Sequence, residues 1–480
     1  MILLSLLIIG TAQASLGDQL SYLPNPQIDV LRYRVSLEAP RLDSPQIEVR
    51  AEIELVALEA SDRLELHAES SRIHVRQVLG IDGTPLPFRF ARPGPEHIRG
   101  RELSGDYLEI TPDRPLAAGE PTRVLIDYTL AIEDAPPSRE AVGLAHARDF
   151  MGMPALYTRA WPYYARFWLP SNDHPSDPAS FELVADVPST SLVAANGALV
   201  EGTWTEGSGI MPASGLRRFR WRLDEPSPAY GLSFVIGAFR VDAHDAALGT
   251  GTIPSTLYTP AGMAPSRLSE YLRARGRTED AMRFFSETLG DYTFPKLGIA
   301  VTPHPFSMEH PSLVTLVDPG AAVHETVHHW WGDGVLIARW SDVWISEGFT
   351  TYLTGVFSEN AQGNPACMIP GNVRLDDSVD ADPFDVYGRT YCGGAKALHE
   401  LRAVLASQGG ISPSDWRLSR LVFLALTRDL YQELKGRPTT TEEILGRIEA
   451  RSAAVLRDRG LTVDQVRLSQ ALASWRSRWF

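Results

Sequence analysis

Apolar and charged residues alternate along the first part of the chain, most clearly at residues 47–55, Ile-Glu-Val-Arg-Ala-Glu-Ile-Glu-Leu. A period of two predicts a β-strand with one buried face and one solvated face. Residues 33–37 and 124–128 repeat this pattern, and glycine- and proline-containing segments between such stretches predict turns. Short strands separated by turns are typical of an antiparallel β-domain, which we place at residues 25–245.

Beyond this region the apolar period becomes that of a helix. Leu268, Tyr271 and Leu272 have the i, i+3, i+4 spacing of a helix with one buried face. Residues 440–443, Thr-Thr-Glu-Glu, form a capping-box pattern that predicts the start of another helix. We therefore predict a mostly helical second domain over residues 246–480, and an α+β multidomain fold class.

Composition narrows the possible partners. A chain of 480 residues with 44 % hydrophobic and 22 % charged residues is typical of a globular protein of two to three domains. The net charge of −14 argues against binding to nucleic acid or to an anionic membrane surface, because both require a basic patch. The sequence predicts no stable membrane span, and it leaves the oligomeric state open.

The N-terminus has the pattern of a secretory signal peptide. Residues 2–10 are an apolar run too short to span a bilayer, and an Ala-Gln-Ala cleavage pattern at residues 12–14 follows. We expect residues 1–14 to be removed from a secreted or periplasmic protein; because no basic residue precedes the run, a retained N-terminal segment is the alternative. In an oxidising compartment Cys367 and Cys392 could form a disulfide, or both could remain free thiols.

The most informative pattern is His-Glu-Thr-Val-His at residues 324–328. Positions i and i+4 of a helix share a face, so His324 and His328 can bind the same metal ion. Glu325 can then reach a metal-bound water without being a ligand, and Glu347, 18 residues after His328, is the candidate third ligand. Two histidines and one carboxylate, with a fourth position open, form a catalytic zinc site and not a structural one. We expect one Zn²⁺ per chain.

The surroundings of this motif resemble the M1 family of zinc aminopeptidases, the gluzincins. In that family the H-E-x-x-H is followed after 18 residues by the Glu of an N-E-G-F segment, and here residues 346–349 read Ser-Glu-Gly-Phe. Residues 306–310, Phe-Ser-Met-Glu-His, resemble the family's G-A-M-E-N segment. The resemblance implies an N-terminal β-domain followed by a thermolysin-like zinc peptidase domain. It also implies a short member, without the large C-terminal helical domain that the family usually has.

The resemblance assigns roles to individual residues. Glu325 is expected to be the general base that activates the attacking water. Tyr391, in a segment similar to the family's Y-x-x-G, is expected to donate to the oxyanion, with Tyr387 as the alternative. Glu309 is expected to bind the free α-amine of a peptide, and Met308 belongs to the same substrate-binding segment.

Two departures from the family pattern affect the amine end of the site. Phe306 stands where the family has Gly, and the family's second amine anchor falls on Trp161, with Arg159 where the preceding Gln is found.

The main prediction is a zinc aminopeptidase that hydrolyses the N-terminal bond of peptides. The alternatives are an M1-fold zinc peptidase with altered, endo- or dipeptidyl-like, specificity and a catalytically silent M1-like binding protein. The sequence predicts neither the side chain preferred at the cleaved residue nor the physiological substrate.

Overall fold

A computed structural model describes much of the chain. It covers residues 27–91, 96–98, 101–103, 106–134, 142–203, 215–249, 251–302, 306–358, 375 and 387–480. The predicted signal peptide, residues 1–14, and Cys367 lie outside the described residues. Within the described ranges no helix has the length and apolar character that a membrane crossing needs.

The first half of the chain is built of strands. The first nine are β1 (Ile28–Glu38), β2 (Gln46–Ala57), β3 (Leu64–His67), β4 (Ile73–Leu79), β5 (Phe88–Ala91), β6 (Glu96–Ile98), β7 (Arg101–Leu103), β8 (Tyr107–Ile110) and β9 (Pro121–Ala131). The next eight are β10 (Glu133–Asp134), β11 (Gly143–Arg148), β12 (Pro154–Arg159), β13 (Ala179–Pro188), β14 (Leu192–Ala195), β15 (Ala198–Glu201), β16 (Leu216–Ser227) and β17 (Phe234–Gly237).

These strands form a large sheet and several smaller ones. The large sheet has the order β15-β16-β13-β1-β2-β9-β4, and its pairs are antiparallel except for the parallel pair β1–β13. A second sheet has the order β10-β11-β12-β17-β14, and β3-β8-β5 and β6-β7 form two more. Along β2, buried and more exposed positions alternate without interruption, as the sequence pattern predicts. The predicted β-domain is therefore confirmed.

A four-stranded sheet follows, in the order β18 (Phe239–Leu248), β19 (Gly251–Pro260), β20 (Leu297–Val301) and β21 (Leu313–Leu316). The β18–β19 pair is antiparallel, whereas β20 pairs in parallel with both β19 and β21. The domain boundary that we placed near residue 245 stays a prediction, and that position lies inside β18.

The rest of the described chain is mainly helical. Its helices are α1 (Pro265–Thr288), α2 (Ala322–Val327), α3 (Val343–Phe357), α4 (Gly394–Gln408), α5 (Trp416–Leu434), α6 (Thr441–Asp458) and α7 (Gln465–Trp479), and the short strands β22 (Leu336–Ile337) and β23 (Pro438–Thr439) pair in parallel. Thr440 is the N-cap of α6 and accepts a hydrogen bond from the Glu443 backbone N–H at 3.2 Å, so the predicted capping site is confirmed. The α+β fold class is therefore also confirmed.

Buried apolar side chains form two large clusters. One lies among the strands of the β-domain and includes Val35, Ile53 and Tyr128. The other lies among the helices and includes Trp330 and Trp344, which flank the H-E-x-x-H segment and its third ligand. The metal-binding motif is therefore held by the packed core of the helical half.

Candidate metal centre

Three side chains that the sequence predicts as ligands come together. The Nε2 atoms of His324 and His328 are 3.2 Å apart, and Glu347 Oε2 lies 3.5 Å from His324 Nε2 and 3.3 Å from His328 Nε2. These residues form a group able to hold a metal ion. Glu347 Oε2 is buried, and in the described part of the chain its nearest side-chain nitrogens are those of the two histidines.

The spacing of these three atoms fits zinc. Four ligands in a tetrahedron at the usual Zn–N and Zn–O distances lie about 3.3–3.4 Å from one another. The three observed separations, 3.2, 3.3 and 3.5 Å, surround that value. Two imidazoles and a carboxylate also match the donor set of a catalytic zinc site. The residues present therefore fit the metal that the sequence predicts.

Helix α2 presents the two histidines and is short. It ends at Val327, and His328, the second predicted ligand, is its C-cap. Gly332 has φ +126°, a conformation that favours glycine, and a Cβ there would collide with Ser346 Oγ. The chain therefore turns sharply after His328 and leaves room for the start of α3.

Helix α3 supplies Glu347 and is fixed against the segment after α2. The ring of Phe349 stacks on Trp331 with centroids 3.8 Å apart, and Thr350 Oγ1 donates to the Trp331 carbonyl at 3.0 Å. At the start of the helix, the Asp342 carboxylate accepts bonds from Thr441 N and Oγ1 at 2.9 and 2.8 Å, which ties α3 to α6. The position of the third ligand is thus set by contacts on both sides of α3.

The ring of His328 is oriented by its second nitrogen. Nδ1 lies 3.1 Å from the Trp331 carbonyl oxygen, 3.1 Å from Ser346 Oγ and 3.2 Å from Thr350 Oγ1. Since a carbonyl oxygen only accepts, Nδ1 carries a proton, and Nε2 is the nitrogen that is left to bind a metal ion. Ser346 and Thr350, which lie near Glu347 on α3, were not predicted from the sequence.

Two further carboxylates lie beside His328. Glu309, Glu325 and His328 form a second buried group whose ligand atoms lie within 4.8 Å of one another. Burial raises the pKa of Glu325 well above its usual value, and the Glu309 carboxylate raises it further. Burial also raises the pKa of Glu309. Three acidic side chains in one buried site favour the binding of cations.

The ion pair between the imidazoles and Glu347 opposes the effect of burial. Although burial favours the neutral forms, His328 and His324 lower the pKa of Glu347 to about 2. The carboxylates of Glu347 and Glu309 likewise raise the pKa of His328 to about 10, against burial. In the metal-free site the histidines thus partly compensate the charge that a divalent cation would neutralise.

Tyr391 lies next to the metal ligands, as predicted. Its ring stacks on His324 with centroids 5.9 Å apart and an angle of 14° between the planes. Burial and the negative charges of Glu347 and Glu309 raise the pKa of Tyr391 well above its usual value, so that its hydroxyl stays protonated as a donor. The alternative, Tyr387, begins the same π-helix, Tyr387–Gly393, but its side chain lies outside the described residues.

Close packing brings the Tyr391 segment to α3. A Cβ on Gly348 would lie 2.8 Å from the Cα of Gly394, so the backbones of α3 and α4 touch where neither residue has a side chain. Cys392, next to Tyr391, is disulfide-bonded, and the sequence contains one other cysteine, Cys367. The residues that directly follow Tyr391 are therefore held by the disulfide and by the contact with α3.

The segment that carries Glu309 forms a tight hairpin. Met308 and Thr315 exchange backbone hydrogen bonds of 2.8 and 2.9 Å, and the Met308 side chain is buried. The predicted assignments of Met308 and Glu309 to substrate binding remain predictions, but Glu309 lies in the metal site.

Two of the side chains that depart from the family pattern contact each other. Phe306 is 47 % exposed, and its ring centroid lies 5.3 Å from the guanidinium carbon of the buried Arg159. Trp161 packs edge-on against Trp340, with ring centroids 6.1 Å apart. The substitutions noted in the sequence thus place an aromatic and a cationic group together at Phe306, three residues before Glu309.

A second buried polar group lies behind α2 and was not predicted. His329 Nδ1 is 2.9 Å from the Tyr292 hydroxyl, and its Nε2 is 3.3 Å from the His310 carbonyl oxygen and 3.8 Å from Asp333 Oδ2. Burial lowers the pKa of His329 to about 3. His329, directly after His328, is therefore neutral, and its hydrogen bonds hold the chain that follows α2. The presence of two adjacent histidines was the only signal for it in the sequence.

Comparison with known proteins agrees with this geometry. Residues 287–389 match the peptidase family M1 domain. Leukotriene A-4 hydrolase from Xenopus laevis is 26 % identical over 267 residues, which cover 52 % of this chain and 40 % of that protein. Aminopeptidase B from Rattus norvegicus is 24 % identical over 341 residues, covering 67 % and 48 %. The chain spans less than half the length of these two relatives.

Solved structures show the same fold. An M1 zinc metallopeptidase mutant from Deinococcus radiodurans, bound to a Tyr-Ser-Ala substrate, has a TM-score of 0.72 and 23 % identity, with 95 % of this chain and 96 % of that chain covered. Native yeast LTA4 hydrolase has a TM-score of 0.68 and 20 % identity, with 96 % and 69 % covered. The predicted resemblance and the predicted fold are therefore both confirmed.

Proposed function

We propose that this protein is a zinc-dependent aminopeptidase that acts on peptides. The proposal starts from the match of its residues 287–389 to the peptidase family M1 domain. The observation that carries the proposal is the convergence of the ligand atoms of His324, His328 and Glu347 at tetrahedral spacing, with Glu325 and Glu309 in the same buried site. Ligands, base and amine-binding carboxylate are all needed for this reaction.

The residues divide the chemistry of hydrolysis among them. His324, His328 and Glu347 would hold a zinc ion, which when bound would supply a Lewis acid and lower the pKa of a water to about 7. Glu325 accepts the proton of the attacking water and delivers it to the amine that leaves. The Tyr391 hydroxyl donates a hydrogen bond to the oxygen that becomes negative when the carbonyl is attacked.

Recognition of the peptide N-terminus is assigned to Glu309. The carboxylate of Glu309 is buried, and burial raises its pKa. The ammonium group of an arriving peptide provides the positive charge that stabilises the ionised form. A peptide bound in this way has its first peptide bond beside the metal ligands. This supports exopeptidase action in preference to cleavage within a chain.

The proposal is tested with zinc-loaded protein on aminoacyl anilides and on the same compounds acetylated at the amine. We expect strong preference for the free amine in the wild type and loss of that preference in Glu309→Gln, because the uncharged amide no longer pairs with an ammonium group. Glu287→Gln, on the exposed face of α1, is the matched control. Equal rates on both substrates in the wild type would rule out amine recognition.

A peptidase of altered specificity is the second candidate. It is favoured by Phe306, a bulky side chain three residues before Glu309 that contacts Arg159, and by Trp161 at the position of the family's second amine anchor. Digestion of a peptide library, followed by mass spectrometry, separates the two: single N-terminal residues indicate an aminopeptidase, whereas dipeptides or internal cuts indicate the second candidate. A silent binding protein would bind peptides with zinc present and release no product.

We further propose that the protein is exported after removal of residues 1–14. The apolar run and the Ala-Gln-Ala pattern support this, and so does the disulfide at Cys392, because structural disulfides persist in oxidising compartments. N-terminal sequencing of material from the secreting host should begin at Ser15. An intact N-terminus in cytosolic material, with two alkylatable thiols, would contradict export.

A further inference from the structure

Lys296 is a buried lysine at the junction of the two halves of the molecule. It lies directly before β20, and its side chain is 5 % exposed. Its ammonium group donates to the Ala195 carbonyl at 2.8 Å, to the Ser312 carbonyl at 2.9 Å and to Ser312 Oγ at 3.4 Å. It also lies 5.0 Å from the ring centroid of Trp221. An ammonium group has three donors, and three acceptors are present for them.

These contacts converge on a turn next to Glu309. The Leu313 backbone N–H donates to the His310 carbonyl at 2.8 Å, so residues 310–313 form a turn with Pro311 and Ser312 at its centre. Ser312 has φ +61°, which at the third position of a turn usually requires glycine or asparagine. The backbone there is strained and has to be held by its surroundings.

The β-domain holds the same turn from the other side. Asn196 Nδ2 donates to the Pro311 carbonyl at 2.7 Å, and the Gly197 backbone N–H donates to Ser312 Oγ at 2.6 Å. Asn196 is itself fixed, since its Oδ1 accepts from the Ser233 backbone N–H. Lys296 bonds to both the β-domain, at Ala195, and the turn, at Ser312, and its burial lowers its pKa to about 7.

The turn leads directly into the amine-binding position. Glu309 lies between the Met308–Thr315 backbone pair and the turn, and the His310 carbonyl accepts from the His329 ring at 3.3 Å. A shift of Ser312 would therefore move the Glu309 carboxylate relative to His328, whereas the ligands on α2 and α3 are held by other contacts. A displacement of about 1 Å is enough to weaken binding that depends on a well-oriented charge pair.

We propose that Lys296 is a positioning residue for substrate recognition: by joining Ser312 to Ala195 it sets where the Glu309 carboxylate meets the α-amine of a peptide. This inference rests on the proposed aminopeptidase function. It predicts that loss of the ammonium group weakens recognition of the amine and leaves the metal site intact.

The test compares two zinc-binding ligands that differ only in the amine. Leucine hydroxamate carries an α-amine, and 4-methylpentanohydroxamate lacks it; calorimetry on zinc-loaded protein gives the ratio of their dissociation constants. The wild type should favour the amine-containing ligand, and Glu309→Gln should remove that preference. Lys296→Met should reduce the ratio about tenfold, with unchanged zinc content and unchanged affinity for the ligand without the amine. Lys435→Met, an exposed lysine over the Tyr431 ring, is the matched control and should retain the full ratio.

The outcomes separate the two proposals. A wild type that does not distinguish the ligands contradicts the proposed amine recognition. If the wild type distinguishes them and Lys296→Met keeps the full ratio, or loses affinity for both ligands equally, the positioning role is wrong. If Lys296→Met does not fold, Ser312→Ala is the second variant. It leaves Lys296 unchanged and removes the hydrogen bonds of Ser312 Oγ with Gly197 and Lys296. An unchanged ratio of dissociation constants in this variant overturns the inference.

Discussion

Two regions of this molecule bury many ionisable side chains, and they are organised in opposite ways. The metal-centre cluster consists of His324, His328, Glu309, Glu325 and Glu347. The β-domain cluster consists of Tyr33, His67, Arg166, Asn172, Asp173 and Asp177. Burial raises the pKa of carboxylates in both, for example that of Asp177, to about 7, and that of Glu325. The two clusters differ in the groups that lie opposite their carboxylates.

In the β-domain cluster each carboxylate faces donors of the protein itself. Asp173 Oδ2 accepts from the Arg166 side chain at 3.1 Å and from its backbone N–H at 3.2 Å. Asp177 accepts from the Val30 backbone N–H at 3.1 Å and from Asn172 Nδ2 at 2.7 Å. Such a cluster holds segments together.

In the metal-centre cluster the acceptors face one another. Across the described residues, no arginine or lysine forms an ion pair with Glu309, Glu325 or Glu347, and the ion pairs of Glu347 are with the two histidines. The acceptor atoms converge on a common point, so an external cation completes the cluster. Burial of charge therefore does not by itself indicate a functional site; convergence of acceptors that no arginine or lysine pairs with does.

The largest effect in either cluster is expected for Glu325→Gln. The variant keeps all three metal ligands but has no base for the attacking water, so kcat should fall by about 10³–10⁴. Zinc content by elemental analysis should match that of the wild type. Turnover close to that of the wild type would remove Glu325 from the mechanism.

Tyr391→Phe should have the next largest effect. The phenol is expected to bond the developing oxyanion, so its removal should lower kcat by about 10²–10³ with little change in KM. Tyr387→Phe is the control from the same π-helix and should behave as the wild type. A defect in the control, with normal activity in Tyr391→Phe, would exchange the two assignments.

Stability measurements compare the two clusters directly. Asp173→Asn leaves the buried Arg166 without its counter-charge and should cost about 3–5 kcal/mol of unfolding free energy. Glu347→Gln, measured in metal-free protein, removes the counter-charge of His328, but an imidazole can release its proton and stay buried in the neutral form, which the guanidinium of Arg166 cannot do. It should therefore cost less than Asp173→Asn, while zinc binding is lost. Denaturant titrations with and without a chelator give both values. Equal destabilisation of the metal-free proteins would contradict the distinction between the clusters.

Much of this organisation was predictable from the sequence because it follows local periodicity. The alternation in β2, the capping box at Thr440 and the spacing of His324, His328 and Glu347 each depend on a few neighbouring residues. The end of α2 at Val327 was not predictable in this way, since the turn depends on space at Gly332 that α3 occupies.

The network at Lys296 was missed for the same reason. Its partners, Ala195 and Ser312, are separated from it by 101 and 16 positions, and no local pattern distinguishes a buried lysine from an exposed one. The β-domain cluster was also missed, because Arg166 and Asn172 contact their acceptors outside any periodic pattern and the third donor, the Val30 backbone N–H, is 147 positions from Asp177. Contacts of this kind become visible only when the sheets are assembled.

The smallest effect concerns a carboxylate on β9, one strand in from the edge of the large sheet. Asp127 accepts from Arg50 at 2.6 and 2.9 Å and from Gln77 at 2.6 Å, and the hydrogen bond with Arg50 leads the lowering of its pKa. A lowered pKa stabilises the folded state fully above the unfolded value, near pH 4, and this contribution is lost as pH falls through the folded value. Because Arg50 is about half exposed, Asp127→Asn should cost less than about 1 kcal/mol of unfolding free energy at pH 7.

Unfolding free energies of the wild type and of Asp127→Asn, measured from pH 7 down to pH 2, should converge at the acid end, since both side chains are then neutral. A gap that stays constant over the whole range would show that Asp127 acts through shape and not through its charge, and would weaken the view that carboxylates of the β-domain are stabilised by its own donors.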